Sequence, residues 1–337
     1  MVNSEFNALK PSPMWANLLA ATIRRMPAGR YRLMHLVSRG RNQTFAGKLP
    51  GKFGGCEFEC CLRDNIAREV FFTGNYEPQE SALIRGILQP GMTFVDAGSN
   101  WGFFTLVAAH LVGPQGRVVA IEADPRVFRK LRSNVRRNEL WHVQVFDCAL
   151  ADREGAMTLA GHNETDETCG VSRLVENHAS AGTQFQVQTR PLDSLLDEAG
   201  LEKVDVLKLD VEGAEDMVLA GMQAGLARQR YRCILLELHP VQLGERKRTI
   251  DEVMGLLSAQ GYKGCALDYS QAAFRRACYD SSLHFSEFIR PLSQVRHDLW
   301  PHTIWLAPDY QSSWLDRVAP VFSSPVANAA AESDACA

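Results

Sequence analysis

From Thr93 onward the chain alternates short apolar runs with segments of helical spacing, and this alternation restricts the fold more than any other feature. Strands are predicted at Thr93–Asp96, Arg117–Glu122, Val143–Phe146, Val204–Asp210 and Cys233–Leu238. Helices are predicted at Trp101–Leu111, Pro125–Asn138, Ala214–Ala220 and Ile250–Gln260, and two final strands at Gly264–Asp268 and Thr303–Ala307. Short apolar strands that alternate with helices bury both faces of a largely parallel α/β sheet. The 337 residues suffice for one large domain of this kind with appendages, or for two modest domains.

The regular series is interrupted once. Between the third and fourth strands, short strands at Ala156–Leu159 and Phe185–Thr189 bracket the polar loop Gly161–Gly182, and a loop of that length is expected to shape ligand choice. Ahead of Thr93, helices are expected at Met14–Ile23, Tyr31–Ser38 and Glu80–Leu88. Extended stretches at Cys56–Leu62 and Glu69–Phe72 suggest a hairpin-like element. The Ala-, Ser- and Pro-rich tail beyond Asp309 is expected to fray. The expected organisation is a basic helical and hairpin-like prefix over 1–73, the main α/β domain over 74–309 and a flexible tail over 310–337.

A net charge of −3 does not suggest a nucleic-acid partner, but it hides an asymmetry. From Phe6 to Cys56 there are nine basic residues, Arg24 and Arg25 among them, and no Asp or Glu. Such an arm is either a solvated face or an attractor of phosphates, anionic lipid or an acidic partner, so peripheral membrane contact through residues 6–56 is one expectation. The nine cysteines form no CxxC pair and no Cys/His cluster, which argues against a zinc motif and fits a reducing, cytoplasmic setting. The amino terminus lacks a signal-type run, and Met14–Ile23 is too short to span a bilayer.

The strongest local signal is Asp96-Ala97-Gly98-Ser99-Asn100-Trp101-Gly102, where the first regular strand turns into a helix. Gly98 and Gly102 permit a tight turn and close approach of a ligand. The helix start offers N–H groups to a carboxylate, and Asp96 can hold an ammonium. A ligand carrying both groups fits, and the methionine part of S-adenosylmethionine has both. Glu122, at the next strand end, can accept from ribose hydroxyls; Asp147, past the third strand, can accept from an adenine amino group. A nicotinamide dehydrogenase would need G-x-G-x-x-G; here the spacing is Gly98-x-x-x-Gly102, and Asp96 would repel a pyrophosphate. Two further signals end the fourth and fifth strands: Lys208-Leu209-Asp210-Val211-Glu212-Gly213-Ala214-Glu215 and Leu236-Glu237-Leu238-His239-Pro240. Asp210 and Glu212 can bind or deprotonate an acceptor, and His239 suits general-base work near neutral pH.

From about Gly74 to Pro240 these residues resemble the FkbM family of methyltransferases. The resemblance rests on Gly74-Asn75-Tyr76-Glu77-Pro78, on the Asp96–Gly102 turn and on Lys208–Glu215. Ser99 stands where the family often has Ala, and Ala123 where it often has Pro. The resemblance implies a Rossmann-like, seven-stranded class I methyltransferase sheet with the last strand antiparallel. It also implies S-adenosylmethionine as donor and O-methylation, commonly of sugars or polyketide-type products. Under it, Glu77 lies near the methionine end of the cofactor, and the cofactor set comprises Glu77, Asp96, Ala97, Gly98, Ser99, Asn100, Gly102, Glu122, Ala123, Asp147, Cys148 and Asp210.

The expected reaction is in-line transfer of the methyl group to a hydroxyl of a small, sugar-like acceptor, with His239 or Asp210 as base and Glu212 orienting the acceptor. A weaker expectation is that the arm, through Arg24 and Arg25, recruits a nucleotide- or lipid-linked acceptor. Asp210, Glu212 and His239 could instead hold a divalent cation, although their spacing matches no metal motif. The rival from another class is a cofactor-binding regulatory or scaffold protein, without turnover, docked through its basic arm.

Overall fold

The computed structural model describes residues 9–161, 172–175, 183–279, 284–296 and 300–310. The chain opens with α1 (Met14–Arg25), α2 (Arg30–Ser38), β1 (Thr44–Lys48), β2 (Glu57–Cys61) and α3 (Asn65–Thr73). It continues with α4 (Pro78–Ile87), β3 (Thr93–Ala97), α5 (Phe103–Val112), β4 (Arg117–Glu122), α6 (Pro125–Arg137) and β5 (Val143–Asp147). An insert follows, formed by β6 (Ala149–Leu150), β7 (Gly155–Gly161), β8 (Ser172–Val175) and β9 (Thr183–Arg190). The remainder is α7 (Leu192–Glu198), β10 (Val204–Leu209), α8 (Glu215–Ala220), α9 (Gln223–Ala227), β11 (Tyr231–Glu237), α10 (Pro240–Glu245), α11 (Ile250–Ala259), β12 (Lys263–Leu267), α12 (Gln271–Tyr279), β13 (Ile289–Pro291) and β14 (His302–Leu306).

The main sheet has the order β13-β12-β14-β11-β10-β3-β4-β5. Strands β5, β4, β3, β10 and β11 pair in parallel, and β14 is antiparallel to both β11 and β12. This is the expected class I arrangement, with one strand more: β13, three residues ending in proline, is too short to be read from sequence. The chain proceeds outward from β3 to β4 and β5, then returns to β10 on the other side of β3. Ligands of open α/β sheets bind at such a switch point. Parallel register places Lys208 beside Asp96 and Glu122 beside Asp147, and antiparallel register places Glu237 beside His302.

The insert forms its own sheet, ordered β6-β9-β7-β8. Most of the polar loop expected over Gly161–Gly182, and the tail from residue 311, lie outside the described residues.

The prefix differs from its reading in one respect. The β1–β2 hairpin is present, with Phe45 opposite Cys60, but Glu69–Phe72 is helical, inside α3. The Asp64 side chain caps α3 by accepting from the Ala67 N–H, and the buried Ala67, Val70 and Phe71 recur at helical spacing. The hairpin's other strand is Thr44–Lys48, which carries little apolar signal. A single cluster of buried apolar residues runs from Ala16 in α1 to Leu306 in β14. Within it Phe58 of β2 stacks on Trp101, ring centroids 4.8 Å apart, and Phe53 meets Phe103 edge-on at 5.6 Å. The prefix therefore packs on the residues that begin α5, directly behind the glycine turn.

Candidate active site

A cavity of about 760 Å³ opens at the carboxyl ends of β3, β4, β10 and β11. A recess of about 810 Å³ between the insert and α11 has none of the strand-end signal residues in its lining.

The floor of the cavity is the turn after β3. Gly98 and Gly102 have φ of 83° and 96°, and a Cβ on Gly98 would sit 1.7 Å from the Asp210 carbonyl oxygen. The Gly98 and Ser99 N–H groups donate to Ile121 O at 3.0 Å, and Ser99 Oγ donates to the same oxygen at 3.1 Å. Asn100, at φ 51°, donates its N–H to Glu122 Oε2 at 2.8 Å, while Glu122 Oε1 accepts from the Asp124 N–H at 2.8 Å. Asp96 is buried and accepts from Thr105 Oγ1 at 2.5 Å. Burial pushes Asp96 up to about 6 and Glu122 up to about 8, so each would be better satisfied by a cation or by further donors.

Glu77, Gly98, Ser99, Asn100, Glu122, Ala123, Cys148, Asp210, Glu212 and His239 all line this cavity, as does Asp96. Ala97 is buried beneath the turn and Gly102 packs towards Leu131. Asp147 lies apart from the turn and the cavity: it is exposed at the end of β5 and does not line the space. The chain turns there into β6, so that Cys148 and Ala149 face the space instead.

The opposite wall holds charges that sequence reasoning missed. Lys208 is buried, with Nζ 2.9 Å from Asp210 Oδ2 and 3.7 Å from both Glu77 Oε2 and Glu80 Oε2. Burial alone would lower this ammonium, but Asp210, Glu77 and Glu80 hold it well above its ordinary value. Burial would raise Asp210, yet Lys208 and His239 hold it low. Glu80 accepts from His302 Nδ1 at 2.8 Å, and the His302 ring stacks on Tyr269 at 3.7 Å. Glu237, buried between the two histidines, has Oε1 3.7 Å from His239 Nε2 and Oε2 3.8 Å from His302 Nδ1. Lys208 and Glu237 stood inside the quoted motifs. Glu80 and His302 lie 222 residues apart and no local pattern joins them.

His239 departs from the free base expected of it. Its Nδ1 meets Glu215 Oε1 at 2.7 Å, and its Nε2 faces Glu212 at 3.4 Å, Glu237 at 3.7 Å and Asp210 at 3.9 Å. Burial would lower its pKa, but these carboxylates, Glu215 first, raise it to about 10. These four carboxylates favour the protonated imidazole at neutral pH. Glu212, raised to about 7 by burial and by Asp210, titrates nearer neutrality. Glu77, Asn100 and Glu212 are non-glycine residues with positive φ, each held in a conformation that costs roughly 1–2 kcal/mol, and all three line the cavity.

The strand order, the glycine turn at the switch point and the acid ending β4 define a class I S-adenosylmethionine-dependent methyltransferase. The chain belongs to the FkbM family of these enzymes: the model for the methyltransferase FkbM domain matches residues 91–263. The 2-O-methyltransferase NoeI of Sinorhizobium fredii is 29% identical over 180 residues, covering 50% of this chain and 72% of that protein. The 31-O-demethyl-FK506 methyltransferase FkbM of Streptomyces tacrolimicus is 28% identical over 223 residues, covering 58% and 80%. The AMB antimetabolite synthetase AmbE of Pseudomonas aeruginosa is 30% identical over 210 residues; the match covers 52% of this chain and spans 10% of that protein's length. Among solved structures, a methyltransferase FkbM from Methylobacillus flagellatus KT aligns with TM-score 0.39 and 14% identity over 72% of this chain and 55% of its own. Among the described residues no helix is long and apolar enough to cross a membrane.

Proposed function

We propose that the protein transfers a methyl group from S-adenosylmethionine to a hydroxyl of a small, sugar-like acceptor. One observation carries this reading: Asp96, Glu122 and Asp210 end three neighbouring strands and line one cavity whose acidic wall suits a cationic ligand. O-methylation is supported by the names of two relatives, a 2-O-methyltransferase and a 31-O-demethyl-FK506 methyltransferase. A sugar-like acceptor is supported by the convergent carboxylates of Asp210, Glu212 and Glu237, which suit several hydroxyl donors at once.

The bound cofactor supplies a methyl group already activated on a sulfonium. The residues of this chain have four tasks. Asp96, held by Thr105, accepts from an ammonium, and Glu122 accepts from hydroxyls. Asp210, kept ionised by Lys208, and His239, kept protonated by Glu215, orient the acceptor oxygen. Glu212 takes the hydroxyl proton on its carboxylate; its value near 7 matches that work, which is worth on the order of 10²–10⁴-fold. Alignment contributes more, on the order of 7–11 kcal/mol. The test is transfer of labelled methyl to a panel of sugars and glycosides. Tight cofactor binding with no label leaving the cofactor on any acceptor would favour the non-catalytic scaffold instead.

A second reading is favoured by a specific arrangement. Asp210, Glu237 and His239 each bring one ligand atom within 4.8 Å of the others, and Glu215 orients the His239 ring as outer carboxylates orient metal-bound imidazoles. A divalent cation there would hold two acceptor oxygens. Unchanged turnover after exhaustive chelation removes this reading.

A further inference from the structure

The acid-free basic stretch has a structural consequence that methyl transfer alone does not use. Arg24 at the end of α1, Arg30 at the start of α2, Lys52 in the turn before β2 and Arg85 in α4 converge on a separate pocket of about 270 Å³. Among the described residues no carboxylate lines this pocket, and none of the four cations has an ion pair. Arg25, expected to act with Arg24, is exposed and not part of it.

Two of the cations are fixed by backbone. Arg24 Nη2 donates to Phe71 O at 2.6 Å; Arg30 donates from Nε to Met26 O at 2.8 Å and from Nη1 to Cys278 O at 2.7 Å. The Arg30 guanidinium lies over the Tyr279 ring at 4.5 Å. These carbonyl and ring contacts orient the guanidinium groups without neutralising them, and Arg24 Nε is buried with no hydrogen-bond partner. The other two flank one ring: Lys52 Nζ is 4.8 Å and the Arg85 guanidinium 5.8 Å from the centre of Phe53. Four like charges around one pocket repel, and burial together with Arg85, Arg24 and Arg30 brings the Lys52 ammonium down to about 8. A multiply charged anion with several acceptor oxygens would relieve both the repulsion and the open donor.

The position of the pocket connects it to the active site. Gly74, Asn75 and Pro78 line it, whereas Tyr76 and Glu77, from the same turn, line the main cavity. We propose that this pocket binds a phosphate-ester group carried by the methyl acceptor, in a nucleotide- or lipid-linked sugar. That the phosphate ester belongs to a methyl acceptor rests on the proposed methyl transfer; phosphate capture does not.

The test is calorimetric titration of inorganic pyrophosphate into the full chain and into the double variant Lys52→Gln/Arg85→Gln, which removes the two cations of the pocket that anchor no backbone. S-adenosylmethionine is titrated in parallel. The expected result is pyrophosphate binding that weakens about tenfold or more in the variant while cofactor affinity stays the same. No binding to the wild type, or equal binding by the variant, overturns the proposal. Tighter binding of UDP than of pyrophosphate supports a nucleotide-linked source. Cosedimentation with phosphatidylcholine vesicles containing phosphatidic acid, lost in the variant, supports a lipid-linked one. If pyrophosphate binds as expected but no labelled methyl is ever transferred, the methyl-transfer reading fails and the phosphate pocket stands.

Discussion

The Cα of Gly98 faces the Asp210 carbonyl oxygen so closely that a Cβ there would sit 1.7 Å away. Two strand ends, β3 and β10, meet at this point, and Gly98 also carries a φ of 83°. Gly98→Ala must therefore push the ends apart and adopt a disfavoured backbone. A destabilisation of about 3 kcal/mol or more is expected, since overpacking and a left-handed alanine each cost on the order of 1–3 kcal/mol. Denaturant unfolding measures it, and S-adenosylmethionine affinity should fall in the same variant.

The prefix is expected to act through packing. Phe58 is fully buried against Trp101, whose carbonyl accepts from Asn134 Nδ2 at 2.9 Å. Phe58→Ala should cost about 3–5 kcal/mol. Because Trp101 belongs to the glycine turn proposed to hold the cofactor, the variant should also bind S-adenosylmethionine less tightly under conditions where it is still folded. A stability loss below 1 kcal/mol, on the same ~25 °C scale, would show that the hairpin is not part of the core.

Stability of the cofactor-free protein should fall as pH rises through the alkaline range. The folded-state value of His239, about 10, lies above its ordinary 6.5. Its contribution is therefore fully present below 6.5 and is lost as pH rises through 10. Glu122, raised from 4.5 to about 8 by burial, has the same sign: folding favours its protonated form, and stability declines between those values. Melting temperatures from pH 6 to pH 10 check this, and His239→Gln should flatten the upper part of the profile. A wild-type melting temperature that rises over this range would contradict the charge arrangement.

Glu212 and His239 are expected to separate kinetically. Glu212→Gln should lower kcat by about 10²–10⁴-fold and remove the limb near pH 7 from the rate profile, with little change in cofactor KM. His239→Gln should lower the rate and move that limb to higher pH, because it removes the cation that faces Glu212 at 3.4 Å and holds its carboxyl down. The pH dependence of single-turnover transfer distinguishes the two.

The parts of this site that were legible in sequence are those fixed by local pattern. Asp96, Glu122, Asp210 and His239 each close an apolar run, and strand ends of a parallel sheet share one edge. Asp147 closes such a run too, but the immediate turn into β6 leaves it exposed, and a turn direction carries no composition signal. Glu80 and His302 were out of reach because only the β11–β14 register and the packing of α4 bring them together. The left-handed conformations of Glu77 and Glu212 were equally hidden, since neither residue type announces a positive φ. Glu69–Phe72 was misread because Val70, Phe71 and Phe72 favour strands in isolation, whereas the Asp64 cap and the helical burial pattern prevail in the fold.

The measurement that bears most directly on the whole account is calorimetric binding of S-adenosylmethionine to the wild type and to Asp96→Asn. Asp96→Asn preserves shape and removes the buried charge that Thr105 holds in place. Affinity is expected to fall about tenfold or more, with circular dichroism unchanged, because a charge-assisted contact is worth roughly 1.5–3 kcal/mol. Equal affinity in the two proteins would contradict the assignment of this acidic edge to the cofactor.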